Sequence, residues 1–350
     1  MSASNVREAV AKVEAQLHAF WSASNEGGEP KARASTMNFV AVGTPGEKEQ
    51  LRSDIEELAQ TRAGRVFLLT IDERLSEWDV EPDVSAVCHK DGGIVVCYDR
   101  IELAFGARAA ERATSVVNAL ALSEVPTIME ARAGAPKALV DPILVGAERI
   151  IVDSAELGVA AVAELAWKTR APIADRAFIR SFSFRELVAS LFDDAVDGTR
   201  AIRKVEITRT GPADGGPLGK RDPAALFFGW LASRLGWRFE SASLAVDAAG
   251  QGVRLATHLV PPWGDLGTGE ITGVKITATH DGKELVLNCA RKQEDPRTAC
   301  TSRTGALSSA HDRALGHHDE NWVLRKAIDA TVGDAIYRQA AERAADWSGR

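Results

Sequence analysis

The stretch from Ser123 to Glu156 constrains the fold more than any other. It holds two short apolar runs, Val125–Met129 and Ile150–Val152, with Asp141-Pro142 between them. Asp as N-cap and Pro at the first helical position predict a helix start at Asp141-Pro142. Strand, short helix, strand is a crossover unit, and such units build parallel sheets. Polar residues follow both runs: Glu130 and Arg132 after the first, Asp153 and Ser154 after the second. They fall at the carboxyl ends of the strands, the edge where open α/β sheets usually bind ligands. The stretch holds no phosphate loop, nucleophile elbow or metal motif.

A second unit of this kind precedes it. Met37–Val42 reads as a strand, Gly43-Thr44-Pro45-Gly46-Glu47-Lys48 as a turn, Leu51, Ile55 and Leu58 as one helix face, and Arg65–Ile71 as the next strand. A helix N-terminus attracts anions. Here, however, only Thr44-Pro45 separates the two glycines, and Glu47 stands before Lys48, so this is read as an ordinary βα turn.

Ahead of it, residues 4–21 carry Val6, Val10, Val13, Leu17 and Phe20/Trp21 on one helical stripe. Docking on the protein's own core is the favoured reading, and a partner-binding helix anchored by Trp21 the second. Val84–Cys88 and Ile94–Tyr98 flank a Gly-rich turn and predict a hairpin. A turn at Asp91-Gly92 sets Cys88 against Val95 and patterns best, which makes Cys88 and Cys97 small core residues; the shifted register would oppose the two cysteines. A strand at Ile101–Phe105 and a helix over Gly106–Leu122 follow. Beyond Asp153, helices are predicted over Ala155–Thr169 and Ala177–Ala195, divided at Ala171-Pro172. Arg180 and Arg185 flank Ser181 and Ser183 and could grip a phosphate or a partner carboxylate, although ion-paired arginines are the plainer reading.

Composition changes near Lys204. Gly211–Gly219 is a loop, Asp222-Pro223 caps a helix over Ala224–Leu235, and Gly236 stops it. Strands are predicted at Trp237–Val246, Val253–Leu259, Ile271–Thr279 and Glu284–Ala290. A turn at Asp281-Gly282 pairs Ala278 with Leu285, Ile276 with Leu287 and Val274 with Cys289, all apolar. Arg291–Asp319 lacks periodicity and reads as a long loop whose His311, His317 and His318 are solvated; Asn321–Ala345 reads as a closing helix.

The expected architecture is therefore α/β plus α+β. A Rossmann-like mixed sheet with an antiparallel hairpin, lacking a dinucleotide fingerprint, occupies 1–203. An antiparallel sheet with flanking helices occupies 204–350. With 350 residues the chain can bury a large core, and its net charge of -7 argues against a nucleic-acid surface. No apolar run approaches a membrane span and the start lacks a signal core, so a cytoplasmic protein with no membrane partner is expected. Four scattered cysteines make no disulfide scaffold. No catalytic, cofactor-binding or metal residue is predicted, and no cofactor.

Several segments in order resemble one family: Ser35–Val42, Arg62–Leu69, Asp99–Leu103, Leu122–Thr127, Arg149–Ser154, Leu165–Trp167, Arg185–Leu187 and Gly229–Trp237. Together they are similar to OpcA, the glucose-6-phosphate dehydrogenase assembly proteins, over both halves of the chain. The resemblance implies a non-catalytic partner that assembles or allosterically activates glucose-6-phosphate dehydrogenase, the entry enzyme of the oxidative pentose phosphate pathway. The chain departs from the family at Glu130-Ala131-Arg132, where tryptophans are expected, and at Ser183-Phe184 ahead of Arg185, where Pro and Trp are. The alternative is an α/β enzyme or sugar-phosphate-binding protein using Glu130, Arg132 and Asp153, with Arg180 or Arg185 nearby. The same five residues are the candidate ligand or partner contacts. The Val6–Trp21 helix and the Arg291–Asp319 loop are the candidate contact surfaces.

Overall fold

The computed structural model describes the chain except residue 1 and residues 25–30, 34–35, 60–63, 92–93, 194–200, 212–220, 265, 281, 305–307, 317–318, 331–334 and 349–350. All of the expected Gly211–Gly219 loop beyond Gly211, and His317 and His318, thus lie outside the described residues.

The first sheet grows from two central strands that are almost wholly apolar. After α1 (Ser2–Ser24) and the short β1 (Lys31–Arg33) come β2 (Asn38–Val42), α2 (Lys48–Ala59) and β3 (Arg65–Ile71). β2 is buried at every position and β3 at all but its ends, as parallel strands covered on both faces must be. The hairpin β4 (Val80–Asp91) and β5 (Ile94–Phe105) follows, then α3 (Ala113–Leu120), β6 (Thr127–Ala131), α4 (Lys137–Leu144) and β7 (Arg149–Val152). Next are α5 (Ser154–Leu157), α6 (Val159–Lys168) and β8 (Ile173–Asp175). The sheet order is β1-β5-β3-β2-β6-β7-β8, with β4 antiparallel on β5. The pairs β1–β5, β3–β5, β2–β3, β2–β6 and β6–β7 are parallel, the Rossmann-like pattern expected. α1 buries Ala9, Val13 and Leu17, and Trp21 Nε1 donates to Asp99 at 2.9 Å. This helix is docked on its own core.

Three local expectations are corrected here. α4 begins at Lys137 behind Pro136 and carries Pro142 inside it, not at its start. Burial of Leu139, Val140, Ile143 and Leu144 outweighs the one amide bond that Pro142 cannot donate. The long helix predicted over 155–169 is broken at Gly158, whose φ of +84° is left-handed. The third correction concerns the cysteines. Cys88 lies directly opposite Cys97 and the two form a disulfide; Cys97 is buried but Cys88 is exposed. Among the described residues β4 pairs only with β5, and it is half-buried over Val84–Val87. Because neither face of β4 is fully buried over Val84–Val87, apolar pattern does not decide the register there.

The second sheet follows α7 (Arg176–Arg180) and α8 (Phe182–Asp193), which divide at Ser181 where one helix was predicted. Its strands are β9 (Ile202–Thr210), β10 (Arg238–Ser241), β11 (Leu244–Val246), β12 (Gly252–Val260), β13 (Ile271–His280), β14 (Lys283–Arg291), β15 (Thr298–Thr304) and β16 (Ser309–Ala314). Between β9 and β10 lies α9 (Ala224–Leu235), ended by Gly236 at φ +70°. α10 (Glu320–Asp329) and α11 (Ala335–Ser348) close the chain where one helix was predicted. The order is β10-β11-β12-β9-β13-β14-β15-β16, antiparallel except for β9–β12. The β13–β14 register is the predicted one, including Val274 opposite Cys289, and burial pushes the Cys289 thiol up to about 12. The expected Arg291–Asp319 loop instead contains β15 and β16. β16 is exposed at every residue, so it has no apolar alternation to betray it.

By compactness the chain forms two units that interleave in sequence. One comprises Met1–Asp153, Ala166–Ala174 and Leu324–Gly333, the other Ser154–Leu165, Asp175–Val323 and Asp334–Arg350. The boundary expected at 203/204 falls at the head of β9. Among the described residues no helix is long and apolar enough to cross a membrane.

Candidate functional site

The carboxyl edge of the first sheet is where the sequence places a site, and β2, β6 and β7 deliver its residues. Glu130 pairs with Ala41 of β2 on one side and Ile151 of β7 on the other, and it is 3% exposed. Arg132 stands just past β6. Its Nε lies 3.6 Å from Glu130, and Nη2 donates to Asp54 on α2. Asp54 also accepts from Gln50 Nε2 at 2.8 Å. Asp153 follows β7 and is buried. Of the five predicted residues, Glu130 and Arg132 are thus brought into contact, with Asp54 as a third member that sequence reading missed. Asp54 sits one residue before Ile55 on the helix face turned to the sheet, a position that marks it only once strand order is known.

The turn between β2 and α2 is closed by its own carboxylate. Glu47 accepts from the Thr44 N–H at 2.8 Å and from the Thr44 hydroxyl at 2.7 Å. A donor at the helix start that could meet a phosphate is thereby taken by a side chain. Gly43 lets α2 approach, since a Cβ there would lie 2.5 Å from Leu51 Cδ1.

A larger charged cluster on β5 and α2 also escaped the sequence reading. Glu102 is 4% exposed. It accepts from Arg52 Nε at 2.6 Å and Nη2 at 2.7 Å, and Lys48 Nζ is 2.8 Å away. Burial opposes ionisation of Glu102, but the bonds from Arg52 and Lys48 outweigh it and hold the carboxyl below its ordinary value. A glutamate within a strand flanked by Ile101 and Leu103 was the available signal.

Arg180 and Arg185 belong to the second unit and are held in place there. Arg180 Nη2 and Arg176 Nη2 reach Glu320 at 2.7 and 2.6 Å. Arg185 lies over the Phe178 ring, 3.5 Å from its centroid, and donates to the Phe178 carbonyl at 3.0 Å and Ser181 Oγ at 3.2 Å. Burial works against Glu320, yet Arg180 and Arg176 bring its carboxyl down to about 2 from an ordinary 4.5. Its stabilisation is therefore full above about pH 4.5 and is lost as pH falls toward 2. Because the Glu320 side chain is 54% exposed, solvent screens the pair to about 1 kcal/mol or less. The stability gap between wild type and Glu320→Gln, read by urea unfolding, is expected at pH 7 and should close by pH 2.

Two family profiles match this chain, and both describe a glucose-6-phosphate dehydrogenase subunit. The profile of its N-terminal domain matches residues 55–168, and the profile of its C-terminal domain matches residues 171–341. No curated protein matches. Among solved structures, KijD10, a 3-ketoreductase from Actinomadura kijaniata with TDP-benzene and NADP, is 12% identical in its open conformation, with a TM-score of 0.48 over 89% of this chain and 95% of that one. An oxidoreductase from Sinorhizobium meliloti is 12% identical, with a TM-score of 0.45 over 89% and 94%. A super-repressor mutant of Gal80p from Saccharomyces cerevisiae is 11% identical, with a TM-score of 0.46 over 89% and 94%. These likenesses carry no argument about chemistry.

Proposed function

We propose a non-catalytic role from one premise: the chain belongs to the OpcA family, the glucose-6-phosphate dehydrogenase assembly proteins. In this reading the protein is cytoplasmic, binds glucose-6-phosphate dehydrogenase, promotes its assembly and activates it allosterically at the entry to the oxidative pentose phosphate pathway. The carrying observation is the pair of family profiles, which together span residues 55–341. The closed carboxyl edge supports it. Arg132 is spent on Asp54 and Glu130, and Glu47 on its own turn, an arrangement suited to a rigid scaffold. Activation requires that the protein bind one conformation or oligomer of the dehydrogenase more tightly than the others. α1 spends its apolar stripe on its own core, which leaves β16, the exposed last strand of its sheet, as the contact surface we favour. The second reading, a sugar-phosphate site at the sheet edge, draws on Glu130 and Asp153, buried at the ends of neighbouring strands.

The test is steady-state kinetics of the same organism's glucose-6-phosphate dehydrogenase while this protein is titrated in, with sedimentation of the mixture. A saturable fall in KM or rise in kcat, together with a faster-sedimenting complex, is expected. A dehydrogenase whose kinetics and sedimentation are both unmoved, under reducing and oxidising conditions alike, refutes the proposal.

A further inference from the structure

The second sheet has a buried face and an outward one. β9 gives Val205 and Ile207 to the buried face and Lys204 and Glu206 to the other; β13 likewise gives Val274 and Ile276, then Lys275 and Thr277. The outward face has a charge arrangement that costs stability. Arg254 of β12 lies directly opposite Lys204 of β9, and like charges so placed repel. A bulge intensifies this. Pairing of β13 with β9 passes from Thr277–Lys204 to Ala278–Ile202, so Arg203 is an extra residue. Bulges re-aim side chains, and Arg203 lines one groove with Lys204, Arg254 and Lys275. Four cations thus converge on a chain whose net charge is -7.

The two carboxylates on this groove are Glu206 and Glu284. Glu206 is engaged by Lys204 Nζ at 2.8 Å and His258 Nε2 at 3.3 Å. Among the described residues, no carboxylate pairs with Arg203, Arg254 or Lys275 within 4.0 Å. The groove holds about 540 Å³ and adds the side chains of Thr277 and Thr279. That is the size of a small-molecule site. Arginine forks and hydroxyls are the donors that phosphate oxygens take, and lysines add point charge.

We propose that this groove binds a small phosphate-bearing anion, held by Arg203, Lys204, Arg254 and Lys275. The repulsion across β9 and β12 is relieved when the anion binds. The site lies on the second sheet and does not depend on the role proposed above.

Isothermal titration of the full chain with pyrophosphate at low ionic strength tests it. Saturable binding is expected, weakened roughly tenfold or more in Arg203→Ala and in Arg254→Ala. Lys275→Glu should abolish binding while the circular dichroism spectrum stays unchanged. Arg238→Ala, on the same sheet but outside the groove, should bind as wild type does. Absence of saturable heat overturns the proposal. So does equal binding by wild type and both arginine variants, or an equal response to sodium chloride at matched ionic strength, which marks nonspecific screening.

Discussion

Replacing Gly229 by alanine is expected to destabilise the protein by about 3 kcal/mol, even though alanine is the better helix former by about 1 kcal/mol. Gly229 lies in α9, which is buried from Ala224 through Ala232. A Cβ on it would stand 2.2 Å from the Ala340 carbonyl oxygen and 2.8 Å from the Ala344 nitrogen, both main-chain atoms of α11. Backbone cannot swing aside as a long side chain can, so the two helices must part. Parting them strains contacts that fix α11. These include Phe228 against Trp347 at 5.5 Å, and the bond from the Tyr337 hydroxyl to buried Asp175 at 3.1 Å. The steric term therefore exceeds the propensity gain. Gly229→Leu should leave α11 undocked altogether. Urea unfolding followed by tryptophan fluorescence measures the loss, and an alanine variant within about 1 kcal/mol of wild type refutes the close crossing.

Asp99→Ala is expected to cost about 3–5 kcal/mol, the usual penalty for stranding a buried charge. Asp99 is 1% exposed. It accepts from Arg65 Nε at 3.0 Å and Nη2 at 2.9 Å, and from Trp21 Nε1 at 2.9 Å. The Arg65 side chain is only 11% exposed, and its Nη1 bonds the Leu120 carbonyl. Removing the carboxylate leaves that guanidinium without its counter-charge and frees the end of α1. Trp21→Phe isolates the second effect. It removes one hydrogen bond to a charged group and should cost about 1.5–3 kcal/mol. Denaturant unfolding ranks the two variants, and amide exchange in α1 should accelerate in both. If Asp99→Ala proves no worse than Trp21→Phe, the buried pair contributes little.

Where burial follows a simple period, the fold could be read from the chain. The β2 and β3 runs, the β13–β14 register and the α9 stop at Gly236 all came from local chemistry that agreed with tertiary demand. The failures share one cause, that neighbours in space decide what local sequence leaves open. β9 is central to its sheet, yet Arg203, Lys204, Glu206 and Arg209 disguise it; Arg209 is buried only because Asp222 lies against it. β16 is an edge strand without an apolar face. Cys88 faces Cys97 because pairing with β5, not pattern, sets the register of β4. At the candidate site, Glu130 and Arg132 were legible as polar residues after a strand. Their neighbour Asp54 was not, because it arrives from a helix 78 residues earlier.

The interleaving of the two units bears on synthesis. Leu324–Gly333 belongs with the first unit, and Arg149 donates to the Ile328 carbonyl there. A nascent chain that has emerged as far as Asp153 therefore lacks a piece of that unit. At elongation rates of about 5–20 residues per second the missing segment arrives roughly ten to forty seconds later. During that interval the first unit waits unfinished, with Arg149 unsealed, while most of the second is being made. Birth order and folding order are thereby uncoupled, and a segment made late completes what the first residues began.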